Sequence, residues 1–310
     1  MKDANLLNRR ALLSLCGAVG AATALKLGPA SAQPAPITRA IPATGERLPV
    51  IGMGSWLTFS VGDFPAERAI RVDILRNFFA RGGALIDSSP MYGWSEEVIG
   101  YCLKQLDYPG ALFSATKVWT FTQLLGVSQM NNSEYRWGVD GFDLMQIHNM
   151  VDWETHLQTL LQWKAEGRIR YIGITTSHGR RHDELGEVLK TKPFDFVQFT
   201  YNILDREVEN RLLPLAADRG IAVIINRPFR RGALLDRLQG KPLPAWAGEL
   251  GCNNWAQFLL KFIVSHPSVT CTIPATSQVA HMQENMGANF GRLPDMQIRR
   301  RMFRYVEDVI

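Results

Sequence analysis

The sequence predicts an α/β protein built as a (β/α)8 TIM barrel, with an N-terminal β-hairpin and an extra C-terminal helix. Short apolar runs alternate with helix-period segments eight times after residue 32. The runs are too apolar for strands with one face in solvent, which indicates a parallel sheet covered by helices. An open doubly wound sheet would carry a GxGxxG turn after its first strand, and none is present. Eight units in this length fit a closed barrel, which typically needs about 250 residues.

Residues 1–32 are predicted to be an export signal rather than part of the barrel. Arg9 and Arg10 precede a weakly apolar segment at residues 11–25, and an A-x-A cleavage site ends at Ala32. The apolar segment is shorter than the roughly 20 residues that span a bilayer, so no stable membrane anchor is expected. Paired arginines before such a segment resemble a twin-arginine signal. This implies export by the twin-arginine machinery to the periplasm or outside the cell. A cytoplasmic protein with an unused leader is the alternative.

Composition and charge exclude several classes of protein. The 310 residues are 46% hydrophobic and 20% charged, a globular balance that excludes a disordered or collagen-like chain. The net charge is +5, of which residues 1–32 carry +3, so residues 33–310 are close to neutral and no nucleic-acid partner is expected. Outside the leader, Cys102, Cys252 and Cys271 are widely spaced and form no Cys/His cluster. They predict buried thiols and no metal site.

The elements follow in order along residues 33–310, which are expected to form one domain. Two alternating runs at residues 37–41 and 48–51 flank a Gly turn and predict the β-hairpin. The eight strand runs are residues 51–54, 84–86, 112–115, 144–147, 171–174, 196–199, 222–225 and 271–273. Helix-period segments between them include residues 65–80, 96–105, 154–167 and 255–265.

Two further segments complete the barrel. Residues 230–251 are rich in turn residues and lie between the seventh strand and the seventh helix. They predict a long βα loop rather than a domain boundary. Residues 296–310 predict an additional amphipathic helix docked on the barrel.

Polar side chains follow successive predicted strands, at the end where barrel active sites form. Asp87 and Tyr92 follow the second strand, Lys117 ends the third and His148 ends the fourth. The next two strands carry further polar residues, namely Thr175, Thr176, Ser177, Gln198, Tyr201 and Asn202. All of these are expected on one rim.

The first four of these residues suit protonation of a carbonyl oxygen while hydride arrives at the carbon. A tyrosine has a pKa of about 10 and is a poor acid at neutral pH. The nearby Lys117 ammonium is expected to favour the phenolate and lower the pKa of Tyr92. Asp87 would hold Lys117 charged and aimed, and His148 would donate a hydrogen bond to the carbonyl.

Five segments resemble the motifs of the aldo-keto reductases. Residues 86–93 (IDSSPMYG) with 95–97 (SEE) look like the family's second-strand signature. Residues 116–119 (TKVW) resemble its third-strand lysine motif, and residues 143–148 (DLMQIH) match its fourth-strand segment. Residues 172–176 and 273–285 stand where the fifth strand and the last strand–helix unit are expected. The resemblance implies a reductase that transfers hydride from a nicotinamide cofactor to a small aldehyde or ketone.

The resemblance also implies residue roles. Tyr92 would be the general acid, Lys117 its partner, Asp87 the partner of Lys117, and His148 the group that orients the carbonyl. The cofactor would lie extended across the rim, in contact with Thr175, Thr176, Gln198, Asn226, Arg227, Phe229, Arg231, Thr276, Ser277, His281, Glu284 and Asn285. An apolar substrate pocket would be walled by Trp56, Trp94, Trp119 and Phe121.

The sequence departs from the family pattern at the cofactor positions. The usual Ser-Asn pair after the fifth strand is Thr175-Thr176, and Asn226 replaces a tyrosine that commonly stacks on the nicotinamide ring. Ala275 and His281 replace basic residues that clamp a 2′-phosphate, and a neutral histidine binds phosphate less strongly than arginine does. NADP is the expected cofactor, and NAD is the alternative.

Two functions are compatible with these residues. The first is an exported NADP-dependent carbonyl reductase. The second is a barrel that binds a nicotinamide cofactor but acts as a redox sensor or partner subunit with little turnover, because an exported enzyme has no evident source of fresh NADPH. The complete set of four catalytic residue types favours the enzyme.

Overall fold

Eight parallel strands form the centre of the protein, as the sequence predicted. A computed structural model describes residues 35–310, and the predicted export signal at residues 1–32 lies outside the described residues. A two-stranded antiparallel hairpin comes first, with β1 (Thr38–Ala40) and β2 (Arg47–Pro49). The eight-stranded sheet consists of β3 (Met53–Gly54), β4 (Leu85–Asp87), β5 (Phe113–Val118), β6 (Phe142–Ile147), β7 (Ile169–Thr175), β8 (Phe196–Thr200), β9 (Ala222–Asn226) and β10 (Cys271–Thr272).

The sheet closes into a barrel because its first and last strands meet. The strands pair in chain order from β3 to β10, and parallel bridges join Ile51 to Thr272 and Gly54 to Ala275. The seam is tight, since a Cβ on Gly54 would lie 2.9 Å from the Ile273 carbonyl oxygen. The absence of a side chain at Gly54 therefore permits closure.

Helices cover the outside of the barrel. Within residues 35–310 they are α1 (Pro65–Ala80), α2 (Ser95–Gln105), α3 (Gln123–Trp137), α4 (Trp153–Ala165), α5 (His182–Thr191), α6 (Leu212–Asp218), α7 (Ala233–Leu238), α8 (Trp255–Val264), α9 (Val279–Gly287) and α10 (Met296–Val309). The four helices predicted by bounds are confirmed to within two residues at each end. The predicted long loop at residues 230–251 is a connection, but it contains the short helix α7 and two 3-10 turns. No helix in the described part of the chain combines the length and apolarity that a membrane span requires.

The core has an inner and an outer part. Apolar residues of the strands fill the barrel interior, and Ile41 and Leu48 from the hairpin pack into the same cluster, so the hairpin plugs the N-terminal end. The outer part lies between strands and helices and is larger. Cys102, Cys252 and Cys271 are buried free thiols, as predicted.

The C-terminal helix α10 is attached to the barrel through a buried arginine. Arg299 donates hydrogen bonds to the Tyr201 hydroxyl at 2.5 Å, to Glu209 Oε1 at 2.9 Å and to Ser265 Oγ at 2.6 Å. These acceptors compensate the cost of burying the Arg299 guanidinium. This contact confirms that the extra helix docks on the barrel.

Candidate active site

A polar layer caps the barrel interior at the C-terminal ends of the strands. Successive strand residues alternate between inside and outside, so a residue two positions beyond an inward apolar residue also points inward. Five strands place a polar residue two positions beyond an apolar residue of the inner cluster. The polar residues are Asp87, Lys117, Gln146, Gln198 and Asn226, and the apolar residues that precede them are, in the same order, Leu85, Ala115, Leu144, Phe196 and Ile224.

Asp87 and Lys117 form a buried ion pair in this layer. Lys117 Nζ donates to Asp87 Oδ2 at 2.5 Å and to the Ser88 carbonyl oxygen at 2.7 Å. The other carboxylate oxygen, Asp87 Oδ1, accepts hydrogen bonds from Gln146 Nε2 at 2.8 Å and Gln198 Nε2 at 3.0 Å. A buried charge is tolerated only with such partners. Burial lowers the pKa of Lys117, while the charge of Asp87 opposes that effect.

Tyr92 lies above this pair on the turn that follows β4. Its backbone N–H donates to the Ser89 carbonyl oxygen at 2.9 Å, which closes the turn. Lys117 Nζ lies 5.2 Å from the centre of the Tyr92 ring, and the His148 ring meets the tyrosine edge-on at 5.7 Å between ring centres. Two of the other predicted catalytic groups thus lie next to the phenol.

The pKa of Tyr92 differs from the sequence-based prediction. Burial raises the pKa of the phenol above its ordinary value, and the negative charge of Asp87 raises it further. The prediction of a lowered pKa is wrong. The prediction counted the charge of Lys117 but neither the burial of the phenol nor the opposing charge of Asp87. Tyr92 is therefore a protonated donor at neutral pH.

His148 stands immediately after β6 and is nearly buried. Its Nδ1 lies 2.9 Å from the Ser89 hydroxyl oxygen. Burial, with a further contribution from the Lys117 charge, lowers the pKa of His148 to about 2. The imidazole is therefore neutral at working pH, with one N–H to donate and one nitrogen to accept.

A crevice of about 1050 Å³ runs across the rim above the polar layer. Asp87, Tyr92 and His148 line it, and Lys117 lies buried beneath. All twelve residues predicted for the cofactor line it too, namely Thr175, Thr176, Gln198, Asn226, Arg227, Phe229, Arg231, Thr276, Ser277, His281, Glu284 and Asn285. One continuous surface thus joins the predicted catalytic and cofactor residues.

Asn226 supports the crevice wall through its side-chain amide. Its Nδ2 donates to the Thr176 carbonyl oxygen at 2.9 Å and to Gln198 Oε1 at 3.3 Å, and its Oδ1 accepts from Thr200 Oγ1 at 2.8 Å. Thr176 also lines the crevice, and its buried Oγ1 has no hydrogen-bond partner among residues 35–310. An unpaired buried hydroxyl beside a crevice is suited to meet a polar group of a ligand.

Three arginines line the crevice without a carboxylate partner. In the described part of the chain, Arg180, Arg227 and Arg231 form no salt bridge, whereas the neighbouring Arg230 pairs with Asp205. Arg231 stacks over the Trp56 ring at 4.2 Å from its centre. Arg227 and Arg231 lie within hydrogen-bond distance of His178 Nε2, at 2.5 and 3.3 Å, but no carboxylate among residues 35–310 neutralises them. This part of the crevice is therefore suited to an anionic ligand such as a phosphate.

The predicted substrate-pocket residues take different positions. Trp56 lines the crevice. Trp119 lies beside it, 6.4 Å from His148 between ring centres, and is 42% exposed. Trp94 and Phe121 are exposed and do not line the crevice. Tyr201 and Asn202, grouped by sequence with the same rim, do not line it either. Among residues 35–310 no group of His, Cys, Asp or Glu side chains is arranged to hold a metal ion.

Two residues with direct contacts to the catalytic groups were missed. Gln146 is an amide within the apolar run of β6, and its inward position could have been found from the strand alternation. Ser89 lies within the second-strand segment, but only the fold shows that its hydroxyl meets His148.

A model of the aldo/keto reductase family matches residues 50–301. The chain is 28% identical over 210 residues to the aldo-keto reductase YhdN of Bacillus subtilis, a match that covers 63% of this chain and 62% of that protein. It is also 28% identical over 233 residues to the NADH-specific methylglyoxal reductase of Escherichia coli, covering 64% of this chain and 68% of that protein.

Solved structures share the fold. An aldo/keto reductase from Klebsiella pneumoniae, in complex with NADP and acetate, superposes with a TM-score of 0.72 at 24% identity, covering 84% of this chain and 93% of that one. The aldo-keto reductase AKR11C1 from Bacillus halodurans, in its holo form, superposes with a TM-score of 0.71 at 21% identity, covering 88% of this chain and 96% of that one.

Proposed function

The chain belongs to the aldo/keto reductase family, and on that premise we propose that it is an NAD(P)H-dependent oxidoreductase that reduces an aldehyde or ketone to the alcohol. One observation carries the proposal. A protonated Tyr92 and a neutral His148 face one crevice, 5.7 Å apart between ring centres, above the buried Asp87–Lys117 pair.

The residues of the crevice fit a nicotinamide dinucleotide. Unpaired Thr176 Oγ1 lies near the polar layer, where an amide would find a partner. Arg180, Arg227 and Arg231 supply positive charge for a pyrophosphate, and His281, Glu284 and Asn285 are available at the adenosine end. The NADP-bound relative from Klebsiella pneumoniae supports NADP as the cofactor, and the NADH-specific relative from Escherichia coli keeps NAD as the alternative.

The chain's own residues then account for the proton. When bound, the nicotinamide supplies the hydride for the carbonyl carbon. His148 hydrogen bonds to the carbonyl oxygen and holds it beside Tyr92, which donates its phenolic proton as negative charge develops on that oxygen. The Lys117 ammonium lies 5.2 Å from the Tyr92 ring centre and stabilises the phenolate that remains. Asp87 keeps Lys117 charged and in place.

Replacement of the proton donor tests the proposal. Purified Tyr92→Phe protein should bind NADPH as wild type does but reduce an aromatic aldehyde about 10²- to 10⁴-fold more slowly, because only the general acid is lost. Tyr101→Phe, which removes a hydroxyl from α2 away from the crevice, is the matched control and should keep the wild-type rate. Wild-type rates in Tyr92→Phe would reject the assignment.

The sensor or partner-subunit alternative is not favoured, because the four catalytic side chains stand together around one crevice. Repeated turnover separates the two functions. Many alcohol molecules formed per protein molecule, with NADPH or NADH in excess, support the reductase. A single reduction per bound cofactor would support the sensor. The ratio of the NADPH and NADH rates decides the cofactor preference.

The substrate pocket belongs to the same proposal. Trp56 and Trp119 would wall the apolar side next to Tyr92 and His148, with Trp94 and Phe121 further out. Trp119→Ala should raise KM for an aromatic aldehyde more than for a small aliphatic one, because it removes apolar contact area.

We further propose that residues 1–32 direct export through the twin-arginine machinery to the periplasm or beyond. Arg9, Arg10 and the A-x-A sequence that ends at Ala32 support this. Cell fractionation and N-terminal sequencing of the mature protein test it, with Arg9→Lys/Arg10→Lys as the variant. Export should stop in that variant. An uncleaved wild-type chain found in the cytoplasm would favour the unused leader.

A further inference from the structure

Ser89 lies at the start of the turn that carries Tyr92, and it is fully buried. Its hydroxyl oxygen accepts the backbone N–H of Met91 at 3.2 Å and lies 2.9 Å from His148 Nδ1. In the described part of the chain, the hydroxyl has no other hydrogen-bond partner. The contact with Met91 uses Ser89 Oγ as an acceptor and leaves the serine proton without a partner. His148 Nδ1 is the one acceptor within reach of that proton in residues 35–310.

The state of His148 follows from this contact. A neutral imidazole carries its proton on one nitrogen and accepts on the other. When Ser89 donates to Nδ1, that nitrogen is the acceptor and the proton of the ring stands on Nε2. His148 lines the crevice. Its Nε2 has no hydrogen-bond partner in residues 35–310, and it is not among the buried polar atoms that lack one, so it is accessible from the crevice. The N–H of the ring therefore faces the crevice.

We propose that Ser89 is a positioning residue that holds His148 in the Nε2–H tautomer, with this N–H turned toward the substrate carbonyl. The inference rests on the proposed function, because it assigns a role within the same site. Ser89 acts through His148 and does not touch the substrate. The same serine turn also carries Tyr92, whose N–H donates to the Ser89 carbonyl oxygen at 2.9 Å, so one residue aligns both groups that meet the carbonyl oxygen.

The neighbouring Ser88 provides a matched comparison. It is equally buried, but its hydroxyl oxygen lies 2.8 Å from Ser55 Oγ and makes no contact with His148. Ser89→Ala and Ser88→Ala therefore each remove one buried hydroxyl from the same segment, and only the first removes the partner of the imidazole.

The tautomer is measured directly by ¹⁵N NMR of the full chain labelled at its histidines, with His148→Gln used to assign the signals. Wild type and Ser88→Ala should show a protonated Nε2 and a hydrogen-bonded, unprotonated Nδ1. In Ser89→Ala the Nδ1–H tautomer should become populated, so the averaged Nδ1 resonance should move upfield and the Nε2 resonance downfield. A wild-type protein with its proton on Nδ1 would overturn the proposal.

Kinetics provide the second readout. Ser89→Ala should lower kcat/KM for an aromatic aldehyde about two- to tenfold, the factor that corresponds to one hydrogen bond of ordinary strength. An unchanged kcat/KM in Ser89→Ala would overturn the positioning role, even if the NMR spectrum of His148 changes in that variant. The proposed function would fail on a different result, namely a wild-type protein that reduces no carbonyl compound. The NMR measurement of the His148 tautomer does not depend on that result.

Discussion

Arg231 stacks its guanidinium over the indole of Trp56, 4.2 Å from the ring centre, and so joins the loop after β9 to the loop after β3. Both residues line the crevice, and Arg231 forms no salt bridge within residues 35–310. The contact holds a cation without a carboxylate partner in a defined place, at the site where the phosphates of a dinucleotide are expected. A cation–π contact at an exposed site contributes about 0.5–1 kcal/mol.

Arg231→Met should raise the Kd for NADPH roughly fivefold at low salt, because one charge-assisted contact with phosphate is lost. The salt dependence of Kd should fall as well. Titration of the cofactor at two ionic strengths checks both effects. Arg237→Met removes an equally exposed charge from α7 without altering the crevice lining, and its Kd should match wild type. Equal Kd values for Arg231→Met and wild type would contradict the phosphate role.

The buried Asp87–Lys117 pair should be strongly coupled. Lys117→Met and Asp87→Asn should each lower the free energy of unfolding by about 3–5 kcal/mol, because each leaves a buried charge without its partner. The double variant should lose less than the sum of the two. Urea unfolding measures this cycle. Lys190→Met, which breaks the exposed pair with Glu187, should cost about 0–1 kcal/mol. Additive losses at Asp87 and Lys117 would contradict the coupling.

The buried His148 and the half-buried His266 should make the protein less stable in weak acid. The pKa of His148 is lowered to about 2 and that of His266 to about 4, in both cases mainly by burial. Below the ordinary pKa of 6.5, the unfolded chain binds protons at these residues and the folded protein does not. The free energy of unfolding should therefore fall as the pH drops from 6.5 to 5, by up to about 1.4 kcal/mol per pH unit for each histidine.

Urea unfolding at several pH values in that window, with and without His266→Gln, checks the effect. The variant should show a shallower dependence on pH, by about one proton. An identical slope for wild type and His266→Gln would count against the burial effect.

Arg299 should be the main polar anchor of α10. Arg299→Met should lower the free energy of unfolding by about 2 kcal/mol, since it leaves the half-buried Glu209 carboxylate and the buried Tyr201 hydroxyl with fewer partners. Arg300→Met removes the adjacent, exposed arginine and should change stability by less than about 0.5 kcal/mol. Thermal and urea unfolding compare the two variants. Similar losses in both would mean that Arg299 is not the anchor.

Local pattern was enough to predict the architecture. The eight apolar runs correspond to β3–β10, and the predicted helix at residues 65–80 has the bounds of α1, where Pro65 stands at the first helical position. These features depend on near neighbours in the chain, namely the period of the apolar residues and the residues at element ends. The placement of Asp87, Tyr92, Lys117 and His148 at strand ends was predicted in the same way, because barrel topology brings all strand ends to one rim.

Contacts between distant segments were decided only by the tertiary structure. The Ser89–His148 contact spans 59 residues of sequence, and the Gln198–Asp87 hydrogen bond spans 111. The direction of the Tyr92 pKa was predicted wrongly for the same reason, since the burial of the phenol and its distance from the Asp87 charge depend on the assembled site. The sequence by itself determined the barrel and the chemical types at its rim. Packing decided which partner each buried polar group takes, because desolvation and hydrogen bonding act between residues that folding brings together.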